Sequence, residues 1–220
     1  SQKMLSTQFP MSDVDRRGFV KQDFLGLANL DILAEWKRLV EPTLGEIDWD
    51  EVKKEVEAEE DHSMWKLYDK GLTLGLFQIE DGYARHLCKE LKPRSIEDLG
   101  IIVALNRPGP IRSGAPDSFV ARKYGLEPVT YDHPILEDIL EPTYGWFLYQ
   151  EQIIRFFGKL GLNESDADAV RKILGKKKPE DMTALYNGTG EWKGKGYKTL
   201  ADNFGIDPET AQTIWDKVED

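Results

Sequence analysis

Residues 18 to 27, Gly18-Phe19-Val20-Lys21-Gln22-Asp23-Phe24-Leu25-Gly26-Leu27, constrain this chain more than any other stretch. They read as one buried strand that ends in a glycine turn and runs into a helix. Side chains alternate along a strand, so Phe19, Lys21 and Asp23 face one way and Val20, Gln22 and Phe24 the other. A lysine and an aspartate then stand side by side, one strand step apart. Aspartate offers hard oxygen ligands for Mg²⁺, and lysine offers a compact positive charge for phosphate oxygens. The same spacing also fits an ordinary salt-linked strand end, and spacing alone favours that plainer reading because short motifs match by accident.

The rest of the chain reads as mostly helical, giving an α+β class that is mainly α with a short β portion. Beyond Gly26, apolar residues recur at helical spacing (Leu27, Leu30, Leu33, Ala34, Trp36) to about Val40, with a stop near Pro42. Ser12 reads as the N-cap of a short helix, and Leu74 to Gln78 as a second short strand. Ser95 with Asp98 three residues on reads as a capping box. The helix it opens is apolar almost all round, which marks it as buried, and it ends at Arg107-Pro108-Gly109-Pro110. Further helices are expected over 83–91, 117–123, 133–140, 150–160, 166–174 and 208–218. Gly175 ends the helix before the lysine run, and residues 187–198 read as an exposed loop.

The 220 residues suggest one or two domains, and the first residues do not read like a natural start, so a piece of a longer chain is expected. A single cysteine, Cys88, excludes an internal disulfide and suggests a reducing, cytoplasmic setting. No apolar run is long enough to span a bilayer, so no membrane partner is expected. The net charge of −11 argues against a nucleic-acid partner only at first sight, because residues 41–62 hold ten acids against two lysines. That segment reads as a solvated acidic excursion with some helix. Local charge decides whether a surface holds phosphate.

Arg171, Lys172, Lys176, Lys177 and Lys178 form a basic cluster with no acid inside it. A guanidinium fork beside ammonium groups suits a triphosphate or a nucleic-acid backbone. A solvated helix face, with Asp168 paired to Arg171 or Lys172, fits equally well. Tyr149, Gln150 and Arg155 offer stacking or hydrogen bonds to a nucleotide. Asp13 and Asp15 could join Asp23 in a three-carboxylate metal site, but only if residues 12–16 were a strand paired to the 18–27 strand. His62, His86 and His133 lie far from one another, and with the single Cys88 they give no zinc-ligand spacing.

The 18–27 stretch resembles the "GLVKxDFLGL" motif of the bacterial replicative DNA polymerase III alpha subunits, the C-family polymerases. Further segments follow that family's order. Ser6-Thr7-Gln8-Phe9 resembles the segment before the motif, and Gly75 to Glu80 resembles "GVFQxES". Ala104 to Pro110 resembles "ALxRPGP", Phe119 to Gly125 "FxxRKxG", and Tyr131 to Pro134 "YxHP". Pro142 to Gly145 with Leu148 to Gln152 resembles "PTYGxxLYQEQ". Ala167 to Lys172 with Leu174 to Lys178 resembles "ADxxRRxxGKKK". The ordered set covers roughly residues 5 to 182 and is far more specific than any one motif.

The resemblance implies the end of a polymerase palm over residues 1–27 and the first part of helical fingers over 28–220. It implies template-directed transfer of deoxynucleotides to a primer 3′ end by two-metal catalysis. Asp23 would be a palm carboxylate and metal ligand. The two Mg²⁺ ions would be shared with upstream carboxylates absent from this chain, so the chain alone is expected to be incomplete and inactive. Lys21, Arg171 and Lys172 would bind the incoming nucleotide, while Arg107, Lys176, Lys177 and Lys178 would contact phosphate or nucleic acid. Implied partners are primer-template DNA, deoxynucleoside triphosphates, the remainder of the polymerase chain, and a sliding clamp reached through regions not present. The implied setting is the bacterial cytoplasm, or that of an infected bacterial host. Two departures stand out: Lys172 replaces a second arginine, and Ala28-Asn29 replaces the usual Arg-Thr. The alternative is a non-catalytic polymerase-like module that binds nucleic acid or nucleotide.

Overall fold

The computed structural model describes residues 7–20, 22, 24–58 and 63–219. Lys21, Asp23 and His62 lie outside the described residues. The chain divides into two compact units, residues 1–52 and 53–220.

The first unit holds α1 (Met11–Arg16), α2 (Ala28–Leu44) and the start of α3 (Trp49–Ala58). Ser12 lies inside α1 rather than at its cap. The helical backbone of α1 removes the strand that a site built from Asp13, Asp15 and Asp23 requires. α2 runs through Pro42 to Leu44, two residues past the expected stop, and closes where Gly45 N–H donates to Glu41 O at 2.9 Å. Lys37 ties α2 to the following turn, pairing with Glu41 at 3.3 Å and reaching Ile47 O at 3.5 Å. Asp48 caps α3 by accepting the Asp50 N–H at 2.8 Å. Trp36 and Trp49 pack with ring centroids 6.1 Å apart. None of the described residues in 7–52 is fully buried.

Among the described residues neither expected strand forms, and every regular element is helical. The expected β portion is therefore corrected. A strand holds only against a neighbour that takes its N–H and C=O groups. Around residues 18–27 no described stretch supplies such a ladder, and Phe19, Val20, Phe24 and Leu25 are exposed. At 74–78 the chain turns instead. Gly75 and Gln78 take φ of +83° and +62°. Thr73 Oγ1 donates to Ile79 O at 2.6 Å, and the Gly75 N–H donates to the Glu80 carboxylate at 3.1 Å.

The second unit continues with α4 (Trp65–Asp69), α5 (Gly82–Leu91), α6 (Ile96–Leu105), α7 (Pro108–Ser113) and α8 (Ala115–Lys123). Then come α9 (Glu137–Leu140), α10 (Gln150–Lys159), α11 (Glu164–Lys176), α12 (Pro179–Asn187), α13 (Tyr197–Asn203) and α14 (Pro208–Glu219). Ser95 caps α6, its Oγ accepting the Asp98 N–H at 3.1 Å. Asp81 caps α5 and also receives Asn106 Nδ2 at 2.7 Å, which joins the start of α5 to the end of α6. Pro108 does not merely stop α6. It begins α7, where a missing N–H costs nothing.

Two apolar clusters result. Leu87, Cys88, Ile102, Leu105 and Phe119 centre the first, and Phe156, Phe157, Val170, Leu185, Tyr197 and Ile214 the second. Residues 146–148 run between them, with Trp146 and Leu148 packed on the first cluster and Phe147 on the second. That alternation is the period of extended backbone. The 187–198 loop is pinned rather than free. Trp192 and Tyr197 are buried, and the chain at Gly188 passes so close to Gly196 that a Cβ there would enter the Gly188 backbone and lie 2.8 Å from Leu185 O. Its lysines stay exposed, so composition alone reads the loop as solvated.

Burial pushes the Cys88 thiol up to about 11. Only about one thiol in a thousand is then ionised at pH 8, and the thiolate is the reactive form. Reaction of native protein with a disulfide reagent at pH 8 is therefore expected to be on the order of 10²-fold or more slower than in denaturant. Equal rates in the two conditions would show an open first cluster.

Candidate functional site

α11 begins at an Asn163 cap, whose Oδ1 accepts the Asp166 N–H at 2.9 Å. Ala167, Val170 and Leu174 face the core, which turns Asp168, Arg171 and Lys172 outward. Gly175 does not end the helix. It continues through Lys176 and stops at Lys177, which takes φ of +47°.

Asp168 holds both cations, with Oδ1 2.8 Å from Arg171 Nε and Oδ2 2.8 Å from Lys172 Nζ. Lys172 first, and then Arg171, hold the Asp168 carboxyl below the usual range. A second contact fixes Arg171, whose Nη1 donates to Gln150 Oε1 at 2.8 Å. The guanidinium is thus oriented from α11 and from the first turn of α10. Arg155 and Lys159 of α10 do not join it and face Asp138 instead. Lys176 and Lys178 are exposed.

The lysine run meets the Arg107-Pro108-Gly109-Pro110 turn. Gly109, Arg112 and Ser113 line a cavity of about 160 Å³ together with Lys177. Arg112, about sixty residues from the lysine run, is a cation that sequence spacing could not assign. Arg107 is exposed one turn earlier. Lys21 and Asp23 belong to the other unit and are outside the described residues.

A buried polar network supports α10. Gln152 Oε1 accepts the Leu148 N–H at 2.8 Å and the Tyr149 N–H at 2.9 Å. Its Nε2 donates to Ile139 O at 3.2 Å and to Thr143 Oγ1 at 2.7 Å. The Thr143 hydroxyl lies 2.6 Å from Trp146 O. All four hydrogen-bonding positions of the amide are used. This accounts physically for the Pro-Thr-Tyr-Gly and Leu-Tyr-Gln-Glu-Gln segments: Gln152 fixes the strand-like entry to α10 and so sets where Gln150 meets Arg171.

The Phe119 to Gly125 segment has a similar role. Arg122 donates to Tyr144 O at 2.8 Å and to Glu127 at 2.7 Å. Lys123 Nζ donates to Leu91 O at 3.0 Å. Phe119 meets Tyr144 edge-on at 5.1 Å. His133 is structural, its Nδ1 accepting the Ile135 N–H at 3.3 Å. Among the described residues, no three His, Cys, Asp or Glu side chains stand together as metal ligands. No helix of the described chain is long and apolar enough to cross a membrane.

Comparison with known proteins adds to this geometry. The family model for the bacterial DNA polymerase III alpha subunit finger domain matches residues 29–190. The DNA polymerase III subunit alpha of Helicobacter pylori strain J99 is 37% identical over 213 residues, covering 96% of this chain and 17% of the relative. That of Vibrio cholerae is 38% identical over 219 residues, covering 97% and 18%. That of Escherichia coli K12 is 36% identical over 219 residues, again covering 97% and 18%. The chain thus spans less than a fifth of the length of these relatives.

Proposed function

The chain belongs to the bacterial DNA polymerase III alpha subunit family, and on that premise we propose that it forms the palm end, residues 1–27, and the first part of the fingers, residues 28–220, of a DNA-directed DNA polymerase. Residues 41–62 are an acidic excursion of the fingers. The reaction is attack of a primer 3′ hydroxyl on the α-phosphorus of a deoxynucleoside triphosphate. A new P–O bond forms, and the bond to pyrophosphate breaks.

Arg171 and Lys172 hold the triphosphate, Lys21 faces it, and Arg107, Lys176, Lys177 and Lys178 contact phosphates of nucleotide or DNA. Cations placed on the leaving phosphates stabilise the charge that builds there. Asp23 is the metal ligand of this chain. Its carboxylate is a hard oxygen donor of the kind Mg²⁺ takes, but one carboxylate does not hold two ions. Two Mg²⁺ ions shared with carboxylates of the remaining polymerase chain would stabilise the attacking and leaving oxygens. The chain alone is accordingly inactive. Its partners are primer-template DNA, deoxynucleoside triphosphates, the rest of the polymerase and, through that rest, a sliding clamp. The setting is the cytoplasm of a bacterium or of an infected bacterial host.

The observation that carries this reading is the double fixation of Arg171 by Asp168 and Gln150, with the exposed lysines 176–178 following on the same chain segment. A guanidinium held on two sides is oriented before its ligand arrives. Arg171→Ala in the parent polymerase is expected to weaken nucleotide affinity about tenfold to a hundredfold in single-turnover primer extension, with primer-template binding retained. Unchanged nucleotide affinity would remove α11 from the nucleotide site.

A further inference from the structure

Asp168, Lys172 and Lys176 follow one another at four-residue steps along α11, away from its inner face of Ala167, Val170 and Leu174. Residues four apart on a helix are surface neighbours, with Cβ atoms about 6 Å apart. Lys172 therefore stands between an acid and a base of the same row. Asp168 Oδ2 holds it at 2.8 Å, and Lys172 has no other partner among the described residues.

The two cations on Asp168 are not held alike. Arg171 is clamped twice, by Asp168 through Nε and by Gln150 through Nη1. These bonds use two of its five N–H groups, so Nη2 and the second Nη1 hydrogen are left for a phosphate while both clamps persist. Lys172 has one clamp, and its side chain is 60% exposed against 25% for Arg171. An ion pair this open to water is weak. An ammonium on a four-carbon stem also turns readily from one anion to another, which a forked guanidinium does not. The Asp168 carboxyl is held below the usual range by Lys172 and then Arg171, so it is ionised at neutral pH.

From this asymmetry we infer that Asp168 is a positioning residue with two unlike tasks. It keeps Arg171 clamped throughout, and at Lys172 it stands in for a phosphate, giving up the ammonium when the triphosphate arrives and taking it back as pyrophosphate leaves. The inference deepens the proposed function and rests on its placement of the triphosphate on α11. No covalent bond changes in the exchange. The pair of Asp168 with Lys172 breaks as one between Lys172 and a phosphate oxygen forms. The uncovered carboxylate then lies beside the bound phosphates and repels them. Asp168 thus lowers nucleotide affinity and hastens the departure of pyrophosphate.

The test uses the parent polymerase and reads two quantities, nucleotide affinity in single-turnover primer extension and inhibition by added pyrophosphate. Asp168→Asn keeps an oxygen for Arg171 and removes the charge. It is expected to tighten nucleotide binding about three- to tenfold and to strengthen pyrophosphate inhibition by a similar factor. Asp168→Ala removes the charge and the clamp together, and should bind nucleotide about threefold or more weaker than Asp168→Asn. With Lys172→Gln already in place, Asp168→Asn should change affinity by less than about twofold. An unchanged melting profile reports that each variant is folded. Affinity and pyrophosphate inhibition that stay level or weaken in Asp168→Asn would overturn the exchange and leave Asp168 a structural ion-pair partner. Equal behaviour of the Asn and Ala variants would overturn it too. So would an undiminished gain in the Lys172→Gln background, which would assign the effect to overall charge. Arg171→Ala, run alongside, separates the two readings. If it weakens nucleotide affinity while Asp168→Asn changes nothing, the exchange alone fails. If neither moves affinity, the triphosphate is not on α11 and both fail.

Discussion

Asp23→Asn in the parent polymerase is expected to lower the single-turnover rate of primer extension about 10³-fold, with primer-template affinity within about twofold. The substitution keeps the size and shape of the side chain and removes its charge. A metal ligand contributes several kcal/mol to a phosphoryl-transfer transition state, and each 1.4 kcal/mol or so is a factor of ten in rate. Nucleotide affinity should fall far less than the rate, because in the proposed site Lys21, Arg171 and Lys172 hold the triphosphate without Asp23. Excess Mn²⁺ should recover part of the loss if the amide oxygen still reaches an ion. A rate within about threefold of the parent would take Asp23 off the metals and leave the α11 cations as a binding surface only, the non-catalytic alternative.

Gln152→Leu should lower the melting temperature by about 6–12 °C. Leucine has nearly the same volume, so packing changes little. What changes is pairing: the Leu148 and Tyr149 N–H groups, Ile139 O and the Thr143 hydroxyl all lose a partner inside the protein. Each unmatched buried group costs about 1–3 kcal/mol, and coupled losses do not simply add, so about 3 kcal/mol in total is expected. For a chain of this length about 1 kcal/mol shifts the midpoint by about 2–4 °C. Calorimetry on the variant checks the figure. A shift below about 2 °C would mean that water takes over the pairing. In the parent polymerase the same variant should also weaken nucleotide affinity, because Gln150 sits two residues away and orients Arg171.

Local rules made much of the helical unit legible. Ser95 and Asp98 announce the start of α6, and the apolar spacing of Ala167, Val170 and Leu174 gives the inner face of α11. The strands were not legible, because a strand is a property of its neighbours. The 18–27 stretch has strand-like alternation, yet alternation cannot report whether a partner stands beside it. The turn at 74–78 likewise depends on Thr73 reaching Ile79, which periodicity does not encode. Ion pairing divides in the same way. Asp168 with Arg171 and Lys172 lies within one helical turn and could be anticipated. Lys217 with Asp132 is separated by 85 residues and could not.

The crossing of Gly188 and Gly196 bears on how this protein tolerates insertion. Surface loops rich in glycine and lysine are the usual places to splice in a tag or a foreign domain. Here the two strands of the loop are riveted backbone to backbone, and Trp192 and Tyr197 are driven into the core beneath them. A graft at 190–195 would pry α12 from α13 and lift both aromatic rings out of the core.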